Sequence, residues 1–73
     1  MKEYTVLLTW DDESSVWIAT SDEISGLILE SGSADVLMER VRYTVPELLE
    51  LNGQAFTDVT ISFNTVYHAK VYA

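Results

Sequence analysis

One stretch of this chain repeats its apolar residues every three to four positions, while the segments on either side repeat them every two. That change of period limits the fold more than any other feature, because it allows one helix and requires strands around it. In SGSADVLMERVRYTVPELLELNG, residues 31–53, the stripe runs through Leu37, Val41, Val45, Leu48 and Leu51. Ser33 suits the N-cap, and Asp35 sits in the first turn, where the helix dipole favours a negative charge. Asn52-Gly53 closes the helix. Pro46 is the irregularity, since inside a helix it removes the bond to the Arg42 carbonyl and clashes with it. The sequence predicts a kink near residues 43–46, or two shorter helices with Pro46 opening the second.

Before the helix come three short extended runs. EYTVLLTW, residues 3–10, places Tyr4, Val6, Leu8 and Trp10 on one face and Thr5, Leu7 and Thr9 on the other. Asp11 to Ser14 turns the chain into SVWIAT, residues 15–20, which is rich in β-branched and aromatic side chains. SDEISG is a second turn, with Gly26 free to take positive φ, and LILE, residues 27–30, is a third strand. Trp10 and Trp17 are expected on opposite faces of adjacent strands, so that the helix covers one and the other stands exposed.

The last segment, FTDVTISFNTVYHAKVYA, keeps one phase throughout: odd positions from Thr57 to Val71 are largely apolar and even positions mostly polar. A two-residue hairpin at Asn64-Thr65 would turn Val66, His68 and Lys70 toward the core, so the pattern argues against it. A three-residue loop or one continuous strand over 57–72 keeps the phase. A strand of that length exceeds the usual 3 to 10 residues, outruns a small sheet and leaves an end free to pair with another chain. The expected order is β-β-β-α-β: a single α+β domain over residues 1–73, with one kinked helix on one face of a mostly antiparallel sheet.

Length makes association attractive. A chain of 73 residues buries only about 60% of the surface its unfolded form exposes. It has no cysteine, so disulfides and thiolate metal sites are excluded, and its one histidine disfavours zinc. Oligomerisation is the remaining means of adding stability, and a dimer or larger is expected through the last strand, with Phe63, Val66 and Tyr67 as edge contacts. Twelve acidic and four basic residues give a formal net charge of -8, which repels phosphate backbones and favours a basic partner. Direct nucleic-acid binding is not expected. No run approaches the ~20 apolar residues that span a bilayer. Without a signal peptide or cysteines, the expected compartment is the cytoplasm.

Five carboxylates surround the second strand: Asp11, Asp12 and Glu13 before it, Asp22 and Glu23 after it. The two turns lie at opposite ends of about six residues at ~3.3 Å each, roughly 20 Å apart. Such groups cannot share a metal or work across one bond. An EF-hand loop from Asp11 would need glycine at Val16 and glutamate at Asp22. No G-x-S-x-G elbow accompanies the serines. His68 lies on the polar face of the last strand, so it reads as an exposed residue before it reads as a base. No metal, cofactor or catalytic residue is expected.

Trp10-Asp11, Val16 to Ser21, Asp22, Ile24, Gly26-Leu27 and Pro46 to Gly53 together resemble a family of small bacterial domains related to the HicB antitoxins. The resemblance covers roughly residues 4–53. It implies a β-β-β-α-β core similar to a reduced ribonuclease H fold. It also implies a partner class, since HicB-type antitoxins block HicA toxins, small basic ribonucleases that cleave messenger RNA. Many full HicB proteins add a C-terminal DNA-binding domain, which the residues up to Ala73 leave no room for, so autorepression is not expected of them. The expectation is a non-enzymatic interaction domain that masks a basic HicA-like toxin, with Asp11, Asp12, Glu13, Asp22 and Glu23 steering the encounter. The alternative is a stand-alone oligomeric domain that binds an unidentified small ligand or has no toxin partner.

Overall fold

The computed structural model describes residues 2–54, 59–68 and 71. Strands β1 (Lys2–Asp11), β2 (Val16–Thr20) and β3 (Ile28–Ser31) precede helix α1 (Ala34–Leu51), and β4 (Val59–Val66) follows it. The sheet order is β3-β2-β1-β4. β1 pairs antiparallel with β2 and β2 with β3, whereas β1 and β4 run parallel. The chain is thus an α+β fold in β-β-β-α-β order. The parallel pair follows from the crossover: α1 carries the chain from β3 past β2 and β1, so β4 enters at the opposite edge in the direction of β1.

Alternation sets the two faces of the sheet. Tyr4, Val6 and Leu8 of β1 and Ala19 of β2 are buried beneath α1, together with Leu37, Val41, Val45 and Leu49 of the helix. The steps of four from Leu37 to Leu49 form one ridge along the helix that faces the sheet. Leu51, expected in the stripe, is instead 82% exposed. It lies about 200° around the helix from Leu49. Leu48 is only half-buried.

α1 is one uninterrupted helix through Pro46, not two. A proline in a helix interior costs about 3 kcal/mol. Val45 and Leu49 are both fully buried on either side of it, and each such side chain contributes about 1.5–3 kcal/mol. Their burial therefore offsets the loss. The ends are capped as the sequence suggests. Ser33 Oγ accepts from Val36 N at 3.3 Å. At the other end Gly53 N donates to Glu50 O and Gln54 N to Leu49 O, with Gly53 at φ 74°. That pairing is a Schellman motif, and its C′ residue needs the left-handed backbone that glycine adopts without strain.

The turn after β2 does more than connect. Ile24 and Leu27 belong to the core. Gly26, at φ 87°, supplies the left-handed backbone of this turn, and a Cβ there would only reach ordinary contact with Leu48 Cδ2 at 3.5 Å. Asn52 Nδ2 donates to Ser25 O and ties this turn to the end of the helix.

The expected long last strand is shorter in the structure. β4 ends at Val66 and pairs with β1 along its whole length, without a hairpin at Asn64-Thr65. Residues 57, 58, 69, 70 and 72, where the longer strand would have continued, lie outside the described residues.

Candidate interaction surface

α1 approaches β3 and β2 more closely than β4. That placement leaves the helix-side face of β4 only partly covered: Val59, Ile61 and Phe63 pack against the core without being buried. Beside them, a cleft of about 210 Å³ opens between β4 and Arg42, Val45 and Pro46 of the helix. Among the described residues that line it, Arg42 carries the one charged side chain, and its guanidinium meets Glu39 at 3.3 Å on the exposed side of α1.

An aromatic cluster continues this surface at the far end of β4. Trp10 and Trp17 are direct partners across β1 and β2, so they share the helix side of the sheet. This corrects the expectation of opposite faces: the turn between the strands is four residues, Asp12 to Ser15, and the resulting register sets tryptophan against tryptophan. Their ring centroids are 5.4 Å apart, edge to face, and Tyr67 lies 6.2 Å from Trp10 and 6.0 Å from Trp17. Rings this close touch one another and enclose no ligand-sized space. Tyr67 follows directly on β4 and remains 61% exposed. Of the expected edge contacts, Phe63 and Tyr67 thus lie on this surface. Val66 points to the other side of the sheet, half-buried. His68 is exposed beyond the strand.

The five acidic candidates do not converge. Asp11 Oδ1 accepts from Glu13 N, and Asp12 Oδ1 accepts from the Trp10 indole, so the first turn is organised by its own carboxylates. Glu23 has a different task. β2 stops opposite Leu7, which leaves the Thr5 backbone without a strand partner on that side. Thr5 N donates to Glu23 Oε1 and Ser21 Oγ donates to Thr5 O, both at 2.7 Å. Two side chains thereby extend the ladder where the strand has ended. Sequence reading missed this role and the burial of Ile24; the apolar Ile24 inside a polar turn was the available signal. Asp22 and Glu23 also border a shallow cleft on the open face of the sheet, with Thr5, Leu7, Thr20 and Ser21. Among the described residues no group of three or more His, Asp or Glu side chains could hold a metal ion, and no helix is long and apolar enough to cross a membrane.

The model of a domain of unknown function, DUF1902, matches residues 3–73. The chain belongs to this family. Its fold is similar to that in the crystal structure of hypothetical protein TTHA1013 from the extremely thermophilic bacterium Thermus thermophilus, with a TM-score of 0.83 and 33% identity over 94% of this chain and 99% of that one. No curated protein matches the chain. Neither match names the HicB-type antitoxins.

Proposed function

We propose that this DUF1902 domain is a non-enzymatic protein-interaction domain, resembling HicB antitoxins, that masks a small basic RNA-cleaving toxin. The observation that supports it most is the distribution of charge. The formal charge is -8, yet β4 carries no charged side chain between Val59 and Val66. Eleven of the twelve carboxylates stand instead on β1, the β1–β2 turn, the β2–β3 turn, β3 and the helix, at Glu3, Asp11, Asp12, Glu13, Asp22, Glu23, Glu30, Asp35, Glu39, Glu47 and Glu50, and of these Glu3 meets β4 by accepting from Ser62 Oγ. Carboxylates that are dispersed over a surface steer a cationic partner by their summed field, whereas catalysis would need them converged. The complex would act by covering the RNA-binding face of the toxin.

The test is capture of the tagged protein from its native cell, read by mass spectrometry at low and high salt. The reading expects a small basic protein in stoichiometric amount, released as salt screens the pair. Recovery of this protein alone at both salt concentrations would contradict it.

A further inference from the structure

The acidic surface leaves the helix-side face of β4 without an assigned occupant. We propose that a second copy of this chain fills it: two β4 strands pair antiparallel about a two-fold axis, with Phe63 beside its symmetry mate and Tyr67 of each copy beside Val59 of the other. The inference rests on the reading of the chain as an interaction domain and specifies the surface used for self-association.

The edge itself is the first argument. Sheets protect their edges with short strands, charges or prolines. The β3 edge follows that rule, with four residues that include Glu30. β4 does not, since its eight residues, VTISFNTV, contain no charge and no proline. The sequence of β4 has the β-branched and aromatic content that favours pairing.

Charge points to a copy of the same chain. Two molecules of charge -8 repel wherever their carboxylates meet, so association is favoured where carboxylates are absent. The helix-side face of β4 is such a place, since Glu3 meets Ser62 on the opposite face, and among the described residues that line the adjoining cleft the one charged side chain is the cation Arg42.

The alternation of β4 then fixes the register. Residues facing each other across an antiparallel pair lie on the same side of the sheet. If odd positions faced even ones, Ser62 and Asn64 would be set against the apolar side. Odd must therefore face odd. Among such registers, the one centred on Phe63 pairs Ile61 with Thr65 and Val59 with Tyr67, so it uses all of β4 and adds the exposed Tyr67. Both helices then stand on one side of a continuous eight-stranded sheet. The two sets of Val59, Ile61, Phe63 and Tyr67 form the floor of the trough between them, and each Tyr67 approaches the cleft beside Pro46 of the other copy.

The chain has no cysteine, so single introduced thiols report on this register directly. Facing Cα atoms in an antiparallel pair are about 4.5–5.5 Å apart, within the range a disulfide spans. Phe63→Cys should therefore cross-link to itself on mild oxidation. Val59→Cys should not, because its own symmetry mate lies eight positions away, about 27 Å at ~3.4 Å per residue. Should Phe63→Cys fail to fold, Ser62→Cys chains mixed with Asn64→Cys chains carry the same test on the open face, and the mixed dimer should exceed either self-linked form. Cross-linking at 59 but not at 63, or at none of these sites, would overturn the inference. A basic protein captured without any such cross-link would leave the acidic-surface reading standing and overturn this inference alone. A cross-linked dimer that captures no basic protein would do the reverse.

Discussion

Glu23 completes the sheet where β2 stops, and its bond to Thr5 N at 2.7 Å makes it structural as well as charged. A hydrogen bond to a charged group contributes about 1.5–3 kcal/mol, less where solvent competes. Glu23 is exposed, so Glu23→Ala should lower stability by about 1 kcal/mol in urea denaturation, with Glu23→Gln, which keeps an acceptor, losing less. Asp22→Ala should stay within about 0.5 kcal/mol, as exposed surface changes do. The same contrast holds on the helix. Leu49→Ala should cost about 2–5 kcal/mol. Leu51→Ala should cost no more than about 0.5 kcal/mol. Equal losses at the two leucines would contradict the helix orientation described above.

At the scale of the element, Pro46 is held in α1 by the burial around it. Pro46→Ala restores the amide that the Arg42 carbonyl lacks, and should raise the unfolding free energy by about 1–3 kcal/mol. Gly53→Ala, at φ 74°, should lower it by about 1 kcal/mol, since alanine enters the left-handed region at that cost. Both changes are measurable by thermal or urea unfolding.

The elements were legible from period alone: alternation in residues 3–10 located β1 with Tyr4, Val6 and Leu8 inward, and the three-to-four stripe located α1. What period could not convey were the features that depend on pairing. The shared face of Trp10 and Trp17 follows from the strand register, which the Asp12–Ser15 turn sets without a sequence signature such as Asn-Gly. The choice of Leu49 over Leu51 depends on which row of helical side chains packs on the sheet, here the steps of four from Leu37. Ile24 enters the core from a segment whose polar neighbours mark it as a turn. The dispersal of the five carboxylates was legible, because strand length alone separates the two turns. The structural role of Glu23 was not, because it answers a gap left by a strand that ends early.

For the molecule as a whole, charge and burial act on different surfaces. Among the described residues ten buried hydrophobic side chains make a small core, and half-buried Val59, Ile61 and Phe63 pack against it with one side still open. The acidic surface favours a cationic partner but opposes a second copy. These two associations should therefore respond to salt in opposite directions. Under the proposed function, reversing charge at Asp11, Asp12, Glu13 and Asp22 should slow association with any basic protein the capture recovers roughly tenfold or more at low salt, read by surface plasmon resonance. The same variant should leave self-association intact or strengthen it.

The measurement that bears most directly on the role of β4 is the solution mass of the unmodified protein by sedimentation equilibrium, at low and at high salt. The account predicts a species of twice 8.2 kDa, with the dimer share rising as salt screens repulsion between acidic copies. A mass of 8.2 kDa at every salt and protein concentration would contradict the claim that β4 and its helix-side face form a contact surface between copies.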